Sequence, residues 1–146
     1  MDIIYKENIL SADDVLLFQK KMGWTADPRE QWEKSLRNTV YSVAAIYAGE
    51  IIAMGRLLGD AAIYWYVNDV YVINQYQGKG IGRKIMIKLL AYARQNSLPG
   101  TEVSVCLMCA QGKEGFYEKF GFRRRPHEHE GAGMELEMVV DFNATQ

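Results

Sequence analysis

The sequence predicts a mixed α/β fold, in which helices flank a mostly antiparallel central sheet and one strand pair, the fourth and fifth, runs parallel. Three observations carry that expectation. Apolar segments of strand length are joined by two short turns, Ala48-Gly49-Glu50 and Gly59-Asp60, of the kind that connect antiparallel neighbours. An amphipathic helix then separates the fourth strand from the fifth, and a helical crossover returns the next strand parallel to the last. Finally, 146 residues suffice to bury one core without staples, so residues 1–146 are read as a single domain.

The elements follow in order. Ile3 to Tyr5 is a short strand, and Ser11 caps a helix whose apolar positions Val15, Leu16 and Phe18 recur at helical spacing. A second helix follows Pro28, with Trp32 and Leu36 on one face. Residues 39–48 and 51–58 are the next two strands, and the fourth runs from about Ile63 to Ile73. Over 80–95, Ile81, Ile85, Leu89 and Tyr92 oppose Arg83, Lys84, Lys88 and Arg94, which predicts a helix with a cationic outer face. Pro99-Gly100 breaks the chain before the fifth strand, Thr101 to Leu107. A short helix over 112–119 precedes a last antiparallel pair, Phe122 to Arg125 with Met134 to Val140.

Composition narrows the function. Apolar residues make up 49% and charged residues 24% of the chain, an ordinary globular balance with no run long enough to cross a bilayer. A net charge of −1 without a long basic tract implies no nucleic-acid partner. The N-terminus lacks the basic start and apolar core of a signal peptide, so a cytoplasmic location is expected. Cys106 and Cys109 form a C-x-x-C too poor in ligands for a metal site; their apolar setting predicts reduced, packed thiols. His127 and His129, alternating with Glu128 and Glu130 in a polar loop, are read as solvated charges, and no metal is expected.

The most informative segment is residues 70–83, where an apolar strand meets the basic helix through a glycine-rich turn. Gly78, Gly80 and Gly82 lack the Cβ atoms that would keep an anion from the backbone, and the helix starting near Gly80 offers unpaired amides and the positive end of its dipole. Nucleotide loops fail on spacing. No Gly-Lys-Ser/Thr stands where a Walker loop needs it, and a dinucleotide fingerprint from Gly78 would need glycine at 83, where Arg83 stands. Gln77-Gly78-Lys79-Gly80-Ile81-Gly82 fits Q/R-x-x-G-x-G/A, and Phe116-Tyr117-Glu118-Lys119-Phe120-Gly121-Phe122 fits F-Y-x-K-x-G-F. On these two motifs, in this order, the chain resembles the GNAT superfamily of acyl-CoA-dependent N-acyltransferases over nearly its whole length.

That resemblance implies a cosubstrate, acetyl-CoA, whose pyrophosphate is wrapped by Gln77, Gly78, Lys79, Gly80, Ile81, Gly82 and Arg83, mainly through backbone amides. Lys84 is equally compatible with phosphate contact and with plain solvation. The resemblance also implies that the fourth and fifth strands splay, so that the pantetheine arm pairs with the main chain of Val70, Tyr71 and Val72, residues whose side chains read as core strand. Tyr117 matches the tyrosine that protonates the leaving thiolate; a phenol of pKa about 10 keeps its proton at neutral pH. An amide at or near Val70 is placed to stabilise charge on the thioester oxygen.

Two positions depart from the family pattern. Ala110 stands where many members have an asparagine that contacts the cofactor arm, and Val105 stands where some carry a glutamate base. Asp69 is the nearest alternative base and Glu102 a more remote one, while a structural hydrogen-bonding role for Asp69 fits equally well. Trp24, Trp32, Tyr64, Trp65, Tyr66 and Tyr71 could wall a site for an apolar or aromatic amine, with Asp69 or Glu128 attracting its ammonium; core or dimer packing also accounts for them. The expected function is N-acetylation of a primary amine on a small molecule through a ternary complex, with a homodimer as a candidate state. The alternatives are acetylation of a protein or peptide, and a non-catalytic acyl-CoA sensor.

Overall fold

The computed structural model describes residues 1–142, and the chain divides into two compact units, Met1–Leu107 and the remainder from Met108. The first unit runs β1 (Ile4–Glu7), α1 (Ala12–Met22), α2 (Arg29–Arg37), β2 (Tyr41–Tyr47), β3 (Glu50–Gly59), β4 (Tyr64–Val72), α3 (Ile81–Gln95) and β5 (Ser104–Cys106). The strands form one sheet in the order β1-β2-β3-β4-β5, antiparallel throughout except for the parallel pair β4 and β5. The second unit contains one short helix, α4 (Glu114–Glu118). The mixed sheet and its parallel pair are those the turns and the crossover helix predict.

Local chemistry sets the helix ends. Ser11 and Asp14 form a reciprocal capping box: the Asp14 amide donates to Ser11 Oγ at 3.2 Å, and the Ser11 amide donates to Asp14 Oδ2 at 2.8 Å. Gly23 closes α1 in the left-handed region at φ 74°, and the amides of Gly23 and Trp24 return to the Lys20 and Gln19 carbonyls. Between β3 and β4 the Asp60 carboxylate accepts from the amides of Ala62, Ile63 and Tyr64, each at 2.9 Å, which reverses the chain and pulls this carboxyl below its usual range.

The core lies between α3 and the sheet. Ile81, Ile85, Met86, Leu89 and Ala93 are buried on one helix face, as the helical period predicts, and they meet the buried runs of β2 and β3. The helix rides close over Gly55 of β3. A Cβ there would come within 2.5 Å of Ile85 Cγ2 and 3.1 Å of Leu89 Cδ1, so glycine at this position sets how near α3 can approach.

Two expectations fail. Residues 122–125 and 134–140 form no strands; the one antiparallel bridge there joins His127 and Glu130. Continuing that register would set Pro126, which has no N–H, against Gly131. Arg124 and Arg125 are meanwhile engaged locally, with Glu118 at 2.6 Å and with Glu130 at 3.2 Å. The alternation of Met134, Leu136, Met138 and Val140 looked like a strand, yet each of these side chains is at least 71% exposed, because period-2 patterning does not supply a partner strand. The cysteines are also not packed. Both are free and exposed, Cys106 on the terminal strand of the sheet and Cys109 in the coil beyond it.

Gly55→Ala is expected to lower stability by about 1–3 kcal/mol, because the added methyl must displace α3 or force buried Ile85 off its rotamer. The denaturant midpoint at constant m-value checks this; an unchanged midpoint would mean that the helix yields freely.

Candidate functional site

The glycine loop begins where β4 ends. Ile73 leads into a 3-10 turn at Asn74–Tyr76, and the Gln77 side chain folds back so that its Nε2 donates to the Val72 carbonyl at 3.0 Å and to Asn74 Oδ1 at 3.1 Å. Gln77 thus ties the loop to the strand. Gly78 and Gly80 have φ of 75° and 78°, left-handed values that strain other residues, and a Cβ on either would meet nothing within 4 Å. Gly80 is the N-cap of α3 and no side chain caps it; the first turn holds no acidic residue. In α1, by contrast, two acidic residues occupy the first turn and Ser11 with Asp14 closes it. The start of α3 therefore presents amides of Ile81, Gly82 and Arg83 beside open space, with the dipole adding positive charge. This is a bed for an anion such as a diphosphate.

The cations around the loop sort themselves. Lys79 and Arg83 are exposed beside it. Lys84 stands over the Tyr5 ring at 5.3 Å, a third reading that the charge pattern did not suggest, and Lys88 lies 3.9 Å from Glu7.

Upstream, β4 pairs with β3 along most of its length but with β5 only over Tyr64, Trp65 and Tyr66. From Val67 to Val72 no strand among the described residues lies on its β5 side, which fits the splay expected of this pair and leaves main-chain groups for an extended ligand. Within that stretch β4 bulges. Arg56 pairs with Asn68 and Met54 with Tyr71, so Asp69 and Val70 together oppose Gly55. Asp69 takes φ 52°, and its amide donates to Asn68 Oδ1 at 2.8 Å. The Asp69 amide is thus engaged within β4 itself.

The Asp69 carboxylate lies 3.3 Å from Nε of Arg56, a side chain only 3% exposed in the apolar run of β3. Arg56 Nη1 and Nη2 both donate to Ser35 Oγ on α2 at 3.0 Å, and its guanidinium stands 5.2 Å from the Trp32 ring centre. Burial pushes the Asp69 carboxyl above the usual carboxylate range, Arg56 opposes that rise and Asp27 adds to it. Tyr71 is likewise raised, first by burial and then by Asp69. Asp69 is thus a buried carboxyl, paired by charge with Arg56, whose proton affinity burial raises. Neither Arg56 nor Ser35 was singled out from the sequence, although an arginine inside Ile51–Leu58 was a legible signal.

Of the six aromatic candidates, three connect to this ion pair, only Tyr71 through Asp69 itself. Trp24 meets Tyr71 edge-on at 4.6 Å, Tyr71 follows Asp69 by two residues, and Trp32 packs on Arg56. Trp65 is instead core, 1% exposed, with its indole N–H donating to Ser97 Oγ at 3.1 Å. Tyr64 is 64% exposed beside the Asp60 turn, and Tyr66 lies in the paired part of β4 and β5.

In the second unit Tyr117 sits half-buried on α4, with ring centres at 5.0 Å from Phe116 and 6.1 Å from Phe122. Ala110 is exposed in coil, Val105 lies on β5, and Glu102 is exposed ahead of that strand. Glu128 pairs with His129 and Glu130 with His127; among the described residues no group of three or more metal-ligating side chains assembles.

The acetyltransferase (GNAT) family profile matches residues 7–122, well over half of the chain and spanning both sequence motifs. The chain belongs to the GNAT acetyltransferase family. It is 34% identical over 107 residues to serotonin N-acetyltransferase 2, chloroplastic, of Oryza sativa subsp. japonica, which covers 68% of this chain and 51% of that protein. It is 26% identical over 118 residues to histone acetyltransferase TAP1 of Glycine max, covering 73% of this chain and 49% of that one. The chain thus spans about half the length of these two relatives. Among solved structures, a Staphylococcus aureus protein of unknown function superposes with a TM-score of 0.80 at 28% identity, covering 94% of this chain and all of that one. GNAT acetyltransferases use acetyl-CoA as cosubstrate, and the uncapped α3 terminus, the left-handed glycines with open space at Cβ and the unpaired β4 edge fit its diphosphate and amide-bearing arm.

Proposed function

We propose that residues 1–146 act as one N-acetyltransferase domain that moves an acetyl group from acetyl-CoA to the primary amine of a small molecule, by direct attack within a ternary complex. The observation that carries this reading is the sequence of three features along one segment: a bulge at Asp69-Val70, a strand edge up to Val72 that no second strand covers among the described residues, and an uncapped helix start after Gly80. They would receive in turn the thioester, the pantetheine amides and the diphosphate.

In the reaction the amine nitrogen forms a bond to the acetyl carbon and the carbon–sulfur bond breaks. A main-chain amide at or next to Val70 stabilises negative charge on the thioester oxygen. The amine loses a proton to Asp69, or through water to solvent, and CoA leaves as the thiol with a proton from Tyr117. The diphosphate rests on the backbone from Gln77 to Arg83, with charge from Lys79 and Arg83; the Gln77 side chain serves by shaping the loop.

A small acceptor is favoured over a peptide by an aromatic cluster that meets Asp69 through Tyr71, with Trp24 against Tyr71 and Trp32 over Arg56, since a carboxylate near flat rings suits an ammonium next to an apolar body. The rice relative's name points to such an amine and the soybean relative's to histones; the aromatic surround supports the first. Thiol release measured over a panel of arylalkylamines, polyamines and N-terminal and lysine peptides tests this. Turnover confined to peptides would replace the acceptor assignment, and acetyl-CoA binding without any turnover would make the protein a sensor.

Gly80→Val is expected to abolish acetyl-CoA binding, because it strains a left-handed residue and fills the cradle, whereas Lys79→Ala weakens it partially; calorimetry on folded variants reads both. Tyr117→Phe is expected to keep acetyl-CoA affinity but slow turnover by ~10²–10⁴-fold, the usual contribution of a general acid. A wild-type rate at every pH, with chemistry rate-limiting, would make Tyr117 a packing residue. The exposed apolar side chains from Met134 to Phe142 support self-association, so sedimentation at micromolar concentration is expected to show a dimer. A clean monomer mass would remove that part of the reading.

A further inference from the structure

We infer that Arg56 is a positioning residue for acetyl transfer: it ties Asp69 at the β4 bulge to α2 through Ser35 and holds a fixed positive charge against the carboxylate. The inference rests on the proposed reading that Asp69 receives the proton of the acceptor amine.

The argument starts from where Arg56 stands. It is the one charged residue in the buried stretch from Ile52 to Leu57, and a guanidinium held there loses its water. Burial accordingly lowers its proton affinity, with Asp69 and Tyr71 opposing that. A strand serving only as core would be filled better by an apolar side chain of similar volume. Each contact Arg56 makes instead leads to another part of the candidate site. The two terminal nitrogens share Ser35 Oγ at 3.0 Å, Nε faces the Asp69 carboxylate at 3.3 Å, and the flat face lies over Trp32. Its Nε makes no hydrogen bond among the described residues, so the pairing with Asp69 is one of charge.

Asp69 needs such a holder. At φ 52° it occupies a backbone region that L-residues rarely take outside glycine, asparagine and aspartate positions. Its own amide is bound to Asn68, but its side chain is 15% exposed and would relax toward solvent or take up a proton if left alone. The charged and titratable groups acting on it are Arg56 from β3, Tyr71 from β4 and Asp27 from the segment joining α1 and α2. Only Arg56 among these is a cation. Gln19, 8% exposed, holds Asp27 in place, with its Nε2 donating to Asp27 Oδ2 at 2.9 Å, so the opposing charge is fixed as well.

The sign of the effect follows. Arg56 lowers the proton affinity of Asp69, so removing its charge raises the pH at which Asp69 ionises, and the acid limb of kcat/KM moves upward. A residue that merely fills space would lower stability without moving that limb. The test is the pH profile of kcat/KM for a working amine, alongside a carbon-13 carboxyl titration of Asp69, in wild type, Arg56→Gln, Arg56→Lys, Ser35→Ala and Asp69→Asn. Arg56→Gln is expected to shift the limb and the titration upward by about one unit or more, a tenfold rate loss on the acid side per unit. Arg56→Lys is expected to restore most of the midpoint but not the full kcat, since an ammonium keeps the charge and loses the fork to Ser35. Should Arg56→Gln unfold, Ser35→Ala keeps every charge and isolates the anchor: an upward shift or lower kcat supports the inference, and neither overturns it. An acid limb that survives Asp69→Asn sinks the base reading itself, whereas a limb lost in Asp69→Asn but unmoved in the Arg56 and Ser35 variants overturns only the role of Arg56.

Discussion

The candidate site depends on one asymmetry in pairing: β4 is held by β3 along most of its length, yet meets β5 over three residues only. A strand paired on both sides would have no main-chain groups to offer, and a strand paired on neither would not hold its shape. Because β3 supplies the fixed side, the other edge of β4 can stay open and the bulge at Asp69-Val70 can persist at a defined place. Gly55 stands opposite that bulge on β3 and also under α3, so the same residue admits the helix and faces the irregularity. The glycine loop inherits its position from both, since it joins the end of β4 to the start of α3.

Charge placement around this frame follows burial. Exposed ion pairs such as Arg29 with Asp13 are screened by solvent and contribute little to stability. Arg56 with Asp69 is different in kind, because both groups are largely desolvated and each charge is compensated by the other. The helix termini show a similar division. The α1 start is closed by its own side chains, as a purely structural helix end should be, while the α3 start carries glycines where caps would stand.

Much of this was legible because it is local. The Ser11 cap, the helix after Pro28, the two turns and the buried face of α3 each follow from residues within a few positions of one another, and each lies where the pattern put it. The left-handed Gly78 and Gly80 were legible for the same reason. The aromatic wall was not: Trp24, Trp32, Tyr64, Trp65, Tyr66 and Tyr71 share a chemistry, but only strand pairing and the bulge decide which of them meet. Trp65 went to the core and Tyr64 to the surface. Alternation over residues 134–140 misled in the opposite way, for a strand is made by its partner and the pattern carries no information about one.

By itself, the sequence determined the order and type of most elements, the glycine loop before α3 and, through two motifs, the family, because those properties rest on short-range spacing and on backbone freedom at particular glycines. Tertiary structure alone decided that Asp69 would be strained, buried and paired with Arg56, and that Arg56 would reach Ser35 and Trp32. Arg56 lies 13, 21 and 24 positions from Asp69, Ser35 and Trp32, and what joins them is strand register, helix docking and desolvation, which no short window along the chain contains.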